Sequence, residues 1–253
     1  MRNKVILGTA HFGGSVNFEE AEKILDLYFT RYNRVQTATN YPMDTDMPFN
    51  ATLDFIETYV KQKNSLCDLI VNIGSLSNKF SNKNDLSASF FYSNFLMLKN
   101  RFPDSSLTLS IHWDDEESNR SDLLHVFNEL NGQVKIGLSG IKFLDIYSTA
   151  NLQYTYQINS FLDRQSNFSF SSNITKKLPV SELIGYQILG GNKISKNRIT
   201  EISKIYKHPE LERENLLIKV LNENFSKYDS VVIAPKNLSQ AYAWIHALEY
   251  LNE

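Results

Sequence analysis

Short apolar runs alternate along the chain with longer stretches in which apolar residues recur at helical spacing. Eight of the runs have the length of strands and carry few polar residues, which is typical of parallel strands buried on both faces. They cover residues 4–9, 34–38, 68–74, 106–113, 134–140, 152–158, 182–191 and 230–235. The amphipathic stretches predict helices, and these cover residues 17–32, 49–62, 86–102, 120–130, 141–149, 216–225 and 238–251.

The first and last helices carry the clearest signals. In the first, Asn17 is followed three residues later by Glu20, which is the spacing of a capping box. Its apolar stripe consists of Ala21, Ile24, Leu25, Tyr28 and Phe29. The stripe of the last helix consists of Ala241, Trp244, Ile245, Leu248 and Leu251. Each helix is therefore expected to bury one face against a core.

The number and order of these elements predict the fold. Eight buried strands with helices between them are the count of a (β/α)8 TIM barrel, and 253 residues is the length of one such barrel. We therefore expect residues 1–253 to form a single α/β barrel domain. A doubly wound open sheet is the alternative, but no glycine-rich phosphate loop follows any early strand.

Two polar stretches interrupt the pattern, at residues 75–85 and 164–177. Both follow a predicted strand, so in a barrel both would lie on the face formed by the carboxyl ends of the strands. Their composition predicts surface loops, and their position is compatible with a role in covering a substrate.

Composition and charge narrow the class of protein. Hydrophobic residues make up 42% of the chain and charged residues 21%, as in ordinary soluble domains. The formal net charge is −2, and no basic stripe is interleaved with aromatic residues, so nucleic acid is not an expected partner. No apolar run is long enough to span a bilayer, and the start does not resemble a signal peptide. The single cysteine, Cys67, cannot form an internal disulfide, and we interpret it as a packed, reduced thiol of a cytoplasmic protein.

Six segments follow one another in an order that is informative. They read ILGTAHFGG (6–14), VQTATNYP (35–42), LIVNIGS (69–75), LSIHWDD (109–115), IGLSGI (136–141) and GYQILGG (185–191). Together they resemble the strand ends of the aldo/keto reductase family, and the resemblance extends from Ile6 to about Leu251. It implies a TIM barrel and NAD(P)H-dependent reduction of an aldehyde or ketone. In that family a tyrosine gives the proton, a lysine paired with an aspartate lowers its pKa, and a histidine orients the carbonyl.

The resemblance carries only two of these four catalytic roles over to this chain. Tyr41 matches the proton donor and His112 the orienting residue, whereas Gln36 stands at the aspartate position and Asn72 at the lysine position. Loss of one partner would leave a buried charge uncompensated, at about 3–5 kcal/mol, whereas loss of both to amides leaves a neutral pair able to hydrogen-bond. We expect all four residues to meet in one pocket, with the pKa of Tyr41 raised because no cation is near.

The cofactor positions that the resemblance implies are also altered. Ser139 matches the serine that holds the nicotinamide amide, but Gly140 follows it where the family has asparagine. The sixth-strand glutamine position falls at Tyr156, with Gln157 as the alternative register, and Tyr186 matches the residue that stacks on the nicotinamide. Candidates for the phosphate site after the eighth strand are Lys236, Asn237 and Gln240. The loop that closes over the pyrophosphate is reduced to roughly NKISKNRI (192–199), so we expect NADP or NAD to bind weakly.

Other polar side chains have simpler interpretations. His11 follows the first strand and would reach the same end of the barrel, as a candidate for an added acid–base group. We interpret Asp114, Asp115 and Glu116 as solvated loop acids. They lack a second ligand cluster at metal spacing, so no metal site is expected.

Three functions remain compatible with the sequence, and all three imply a small-molecule ligand or a partner at the barrel mouth. The first is an NAD(P)H-dependent oxidoreductase with a weakened proton relay. The second is a barrel that uses Tyr41 and His112 for non-redox acid–base chemistry on a polar substrate. The third is a pseudoenzyme that binds a ligand or a protein partner. The altered relay and phosphate site count against the first, and the retention of Tyr41, His112, Ser139 and Tyr186 counts against the third.

Overall fold

A computed structural model describes residues 4–79, 84–114, 121–165, 170–190 and 213–251. The strands within these residues are β1 (Val5–Gly8), β2 (Arg34–Ala38), β3 (Asp68–Ile73), β4 (Ser106–His112), β5 (Lys135–Ser139), β6 (Tyr154–Asn159), β7 (Val180–Tyr186) and β8 (Ser230–Ile233). The helices are α1 (Phe18–Phe29), α2 (Ala51–Lys63), α3 (Ala88–Arg101), α4 (Ser121–Leu130), α5 (Leu144–Tyr147), α6 (Ser160–Gln165), α7 (Phe170–Lys177), α8 (Arg213–Phe225) and α9 (Leu238–Tyr250).

The eight strands form one closed barrel. Each strand pairs in parallel with the next along the chain, and β8 pairs in parallel with β1. The sheet therefore has no open edge, which confirms the predicted (β/α)8 fold and excludes the doubly wound open sheet. None of the helices that the structure describes is long and apolar enough to cross a membrane.

The side chains of the strands alternate between two environments. One set packs between the barrel and the surrounding helices and forms the large outer core. The other set points into the barrel, where a small apolar layer consists of Ile6, Ile70, Ile184 and Val232, with Tyr186 packed against it. Short strands that bury both faces explain why the sequence shows continuous apolar runs rather than strict alternation.

The amino ends of the strands are closed by a buried ion-pair network around Arg34, which is 5% exposed. Its Nε donates to Asp68 Oδ2 at 2.9 Å, and its two Nη atoms donate to the Glu182 carboxylate at 2.7 and 3.0 Å. Nη1 also donates to Ser230 Oγ at 2.8 Å. Burial alone would raise the pKa of Glu182, but the hydrogen bonds and charge of Arg34 hold it below its ordinary value. One side chain on β2 thus connects β3, β7 and β8.

The sequence predicts a capping box at the start of α1, and the structure contains only one half of it. Asn17 Oδ1 accepts the Glu20 N–H at 2.8 Å, so Asn17 is the N-cap. The Glu20 carboxylate does not return to Asn17, as it would in a capping box, but accepts the Leu238 N–H at the start of α9 at 2.6 Å. Helix α1 packs against α9, and this bond joins the two helices.

One of the two polar stretches differs from the prediction of a surface loop. Residues 164–177 lie largely in helices, since α6 ends at Gln165 and α7 covers Phe170–Lys177. Helix α7 is anchored by buried Ile174, and Asp163 Oδ1 accepts the Ser171 N–H at 3.1 Å. Strand β7 also begins earlier and ends earlier than predicted.

The other stretch, residues 75–85, is ordered by hydrogen bonds on both sides of residues 80–83, which lie outside the described ranges. Ser75 pairs with Asn84 as an isolated antiparallel bridge, and the buried Asn78 side chain donates to the Met47 carbonyl. The strand-exit loop is therefore attached to the loop that follows β2.

Cys67 lies immediately before β3 and is 2% exposed. Burial raises the pKa of its thiol. A neutral, buried thiol agrees with its interpretation as a packed residue.

Candidate active site

A cavity of about 880 Å3 lies at the carboxyl ends of the strands, and we call it the mouth cavity. Its walls come from the ends of β1, β2, β7 and β8, from Trp113 after β4, and from helices α8 and α9. The polar and aromatic side chains on it include His11, Ser15, Gln36, Tyr41, Asp44, Trp113, Tyr186, Lys236, Gln240 and Trp244. The volume is that of a site for a small molecule.

Tyr41 stands on the turn after β2 and lines this cavity. Burial raises the pKa of its hydroxyl, and a hydrogen bond with the Gln36 side chain only partly opposes that rise. The ring of His112 meets the Tyr41 ring edge-on, with centroids 6.3 Å apart. Tyr41 is therefore a neutral phenol that can donate a hydrogen bond into the cavity.

Tyr186 is the second tyrosine on the cavity wall, at the end of β7. Burial raises its pKa to about 12, and the proximity of Tyr41 adds to that rise. Both hydroxyls are thus protonated at neutral pH, and neither carries a charge that could replace the family's ion pair.

Asn72 does not pair with Gln36, so the expected neutral replacement pair is wrong. Gln157 Nε2 donates to Asn72 Oδ1 at 2.8 Å, and Asn72 Nδ2 donates back to Gln157 Oε1 at 3.4 Å. Gln157 Nε2 also donates to Ser110 Oγ at 3.2 Å. Asn72 and Gln157 are 2% and 3% exposed, and neither lines the mouth cavity. Their amides are committed to a bridge across the barrel interior from β3 to β6.

The register of β6 is settled by the same bridge. Gln157 points into the barrel, and Tyr156 beside it is buried in the outer core, where burial raises its pKa. Tyr156 therefore does not face the mouth cavity, and Gln157 occupies the inward position. A shift of one residue along a strand exchanges the two faces, which is why the sequence left both registers open.

His112 is at the end of β4 but does not line the mouth cavity. Its ring stacks on that of Trp113 with centroids 3.7 Å apart, and burial lowers its pKa to about 3. Its Nδ1 is buried without a hydrogen-bond partner. His112 is therefore a neutral ring that supports Tyr41 and Trp113, rather than a side chain that faces the cavity.

Trp113 covers the end of β5. Its backbone is left-handed, with φ of 63°, and its N–H donates to the Ser139 carbonyl at 2.9 Å. A Cβ on Gly140 would lie 2.4 Å from Trp113 Cδ1, so the indole fills the space that an asparagine side chain would need there. Ser139 itself is buried and is not on the cavity wall.

The residues predicted for a phosphate site are used to cap α9. Asn237 is the N-cap, and its Oδ1 accepts the Gln240 N–H at 2.8 Å. Gln240 Oε1 in turn accepts the Lys236 N–H at 2.9 Å. Lys236 and Gln240 still line the mouth cavity, whereas Asn237 does not.

Of the remaining candidates, His11 lies where the sequence predicted it, whereas Asp114 does not. His11 lines the mouth cavity as expected, with its Nδ1 3.3 Å from Ser15 Oγ. Asp114 is not a solvated acid: it is buried and accepts the N–H groups of Lys142 and Phe143 at 2.6 and 3.0 Å. Asp115, Glu116 and the segment 192–199 lie outside the described residues. Among the residues described, no cluster of His, Cys, Asp and Glu side chains could hold a metal ion.

Sequence reasoning missed Glu20 as a residue of this region. Its spacing from Asn17 signalled a helix cap, but its contact with Leu238 depends on the packing of α1 against α9, for which the sequence carries no local signal. Hydrophobic side chains of α8 on the cavity wall, such as Leu216, were likewise predicted only as part of a helix.

No protein-family model matches this sequence, and no curated protein matches it. The fold does match solved structures. A crystal structure described as "the putative aldo-keto reductase" of Pseudomonas aeruginosa has a TM-score of 0.62 and 14% identity, over 97% of this chain and 91% of that one. A second structure from that organism, under a similar description, has a TM-score of 0.62 and 12% identity, over 98% of this chain and 90% of that one. The likeness establishes an aldo/keto reductase-like (β/α)8 barrel.

The residues present do not fit a nicotinamide dinucleotide in the way the resemblance implies. At one end, the hydrogen-bonding groups of Gln157 are satisfied inside the barrel, and Trp113 covers Gly140. At the other end, two N–H groups in the first turn of α9 are occupied, that of Leu238 by Glu20 and that of Gln240 by Asn237. Only Tyr186, Lys236 and Gln240 of the implied cofactor positions face the mouth cavity.

Proposed function

We propose that this chain is an aldo/keto reductase-like barrel that binds a small polar organic ligand in the mouth cavity without a redox cofactor. Tyr41 donates a hydrogen bond, or a proton, to an oxygen of that ligand. The observation that carries the proposal is a phenol of raised pKa on the wall of an 880 Å3 cavity at the carboxyl ends of the barrel strands.

The chemistry of the wall supports a ligand with a carbonyl or hydroxyl oxygen and an apolar or aromatic body. Tyr186, Trp113 and Trp244 present aromatic surface, which favours such a body. His11 and Gln36 add polar groups on the same wall as Tyr41. These polar groups stand among apolar and aromatic side chains and can orient a ligand by hydrogen bonds.

The environment of Tyr41 favours binding or slow acid catalysis over a fast proton relay. No lysine stands at position 72, and the pKa of Tyr41 is raised rather than lowered. A general acid works best when its pKa lies near the working pH, so a phenol of raised pKa gives up its proton reluctantly. Its hydrogen bond, in contrast, is available throughout the neutral range.

Reduction of a carbonyl with NAD(P)H is the second candidate function. It is favoured by the extent of the mouth cavity, whose wall reaches from Tyr41 and Tyr186 to Lys236 and Gln240 at the start of α9. It is disfavoured because the amide of Gln157 is bonded to Asn72 inside the barrel. It is also disfavoured because Glu20 and Asn237 cap the start of α9.

Fluorescence offers a direct test, because both tryptophans of the chain, Trp113 and Trp244, line the mouth cavity. We expect an aromatic aldehyde such as 4-nitrobenzaldehyde to quench the emission saturably, with calorimetry as a second readout. Tyr41→Phe should weaken binding by about 2- to 10-fold, the value of one neutral hydrogen bond. Tyr242→Phe, on the exposed side of α9, is the matched control and should bind like the unmodified protein.

The same preparation separates the two candidate functions. With NADPH or NADH and the aldehyde, we expect no oxidation of the nucleotide. Turnover that is abolished by Tyr41→Phe would replace the proposal with the reductase function. Equal aldehyde affinity in the unmodified protein and Tyr41→Phe would refute the assigned role of Tyr41.

A further inference from the structure

The amino end of α9 carries its own anion. Glu20, from the first turns of α1, accepts the Leu238 N–H with its carboxylate at 2.6 Å. This helix end borders the mouth cavity, since Lys236, Gln240, Ala243 and Trp244 line it. A carboxylate of the chain is thereby fixed at the edge of the proposed ligand site.

Free N–H groups and the helix dipole make the start of a helix a place where phosphates bind. Here the N–H groups of Lys236, Leu238 and Gln240 are already engaged. Glu20 takes the N–H of Leu238, Asn237 takes that of Gln240, and the Gln240 side chain takes that of Lys236. A phosphate could reach the Leu238 N–H only by displacing the carboxylate.

The position of Glu20 makes such a displacement unfavourable. Its own N–H is bonded to Asn17 Oδ1, so its backbone is held in the first turn of α1. A displaced carboxylate would remain close to the incoming phosphate, and like charges at short range repel strongly where the site is partly shielded from water.

We propose that Glu20 is a specificity-determining residue that excludes phosphate from the α9 end of the mouth cavity. The ligand class is then a small organic molecule without a phosphate group at that end. This inference rests on the proposed function for its meaning, but it concerns a different residue and a different ligand group.

The test is the affinity for NADPH, which carries both a phosphate monoester and a pyrophosphate, measured by calorimetry at low ionic strength. Glu20→Gln keeps an oxygen that can accept the Leu238 N–H and removes the charge. We expect it to bind NADPH at least about tenfold more tightly than the unmodified protein, since one close like-charge contact is worth more than that factor. Glu20→Ala, which frees the N–H as well, should show at least the same gain.

Glu19→Gln is the matched control, because it makes the same change of net charge one residue away. Glu19 is exposed and paired with Lys23. Its replacement by glutamine should leave the affinity for NADPH unchanged. An equal gain in Glu19→Gln would show a general charge effect and overturn the inference, as would no gain in either Glu20 variant. Circular dichroism checks that each variant is folded, and the two Glu20 variants provide independent readings if one is not. Failure of the proposed function would appear instead in the aldehyde titration of Tyr41→Phe.

Discussion

Neutral amides, Gln36 and Asn72, stand at the two positions where the resemblance to aldo/keto reductases would place an aspartate and a lysine, and each amide has a different partner. Gln36 interacts with Tyr41, whereas Asn72 pairs with Gln157. The loss of charge at positions 36 and 72 was predictable from the motif segments. The exchange of partners was not, because Gln157 is 85 residues away from Asn72 in the chain and its face depends on the register of β6.

The bridge between Asn72 and Gln157 predicts coupling between these two residues. Replacement of either by alanine leaves the other amide buried without its partner, which costs about 1–3 kcal/mol. The double variant removes both groups, so its loss should be smaller than the sum of the single losses by roughly 0.5–3 kcal/mol. Urea unfolding of the four proteins measures this coupling. Gln36→Ala with Gln157→Ala is the control cycle and should be additive, since these residues share no hydrogen bond. Additive losses for 72 and 157 would mean that the bridge does not form in solution.

At the scale of elements, the strands were more predictable than the segments that connect them. Each of the eight apolar runs overlaps one of the strands β1–β8, because burial on both faces leaves a local signature in the sequence. Helix α7 was missed because most of its residues are polar and, among its side chains that the structure describes, Ile174 is the one buried hydrophobic residue. The sequence did not predict that the Trp113 side chain covers the end of β5, because this placement depends on the left-handed backbone of Trp113.

The contact between Trp113 and Gly140 predicts unequal effects for two glycine substitutions. Gly140→Ala places a Cβ 2.4 Å from the indole, at a φ of +68°, so it should both strain the backbone and displace the ring. Gly132→Ala, at a φ of +87° with no atom near the new Cβ, should cost only the backbone strain of about 1–2 kcal/mol. We expect Gly140→Ala to lose about 1–3 kcal/mol more, with a shift of tryptophan emission that Gly132→Ala lacks. Equal losses and unchanged emission would show that Trp113 is not seated on Gly140.

At the scale of the whole molecule, the two ends of the barrel have different roles. The amino ends are closed by Arg34 and its carboxylates, and the carboxyl ends carry the mouth cavity. This division is usual for the fold, in which the carboxyl end carries the site and the opposite end serves stability. The sequence predicted a candidate site at the strand ends, and the mouth cavity lies there. It gave no indication of the ion-pair network, whose members come from four strands.

The network predicts a large loss of stability when its cation is removed. Arg34→Met leaves the carboxylates of Asp68 and Glu182 without their shared partner, which should lower the free energy of unfolding by roughly 3–5 kcal/mol. Lys61→Met breaks an exposed pair with Glu57 and is the control, with an expected effect within about 1 kcal/mol. Chemical denaturation at pH 7 measures both losses.

The pH dependence of that loss provides a further check. The folded state holds the pKa of Glu182 below its ordinary value, so this carboxylate contributes stability at neutral pH and loses that contribution as the pH falls through its folded pKa. The advantage of the unmodified protein over Arg34→Met should therefore shrink between pH 7 and the acid range. A loss near 1 kcal/mol that does not change with pH would contradict the buried network.

The burial of Cys67 makes this barrel suitable for thiol-labelling kinetics. The chain has one cysteine, and its side chain is sealed between the barrel and the helices with its pKa raised. A thiol reagent can react only after that part of the structure opens, so the labelling rate measures how often opening occurs. Because strand β3 begins at the next residue, labelling of this single sulfur atom reports how often the start of β3 becomes exposed.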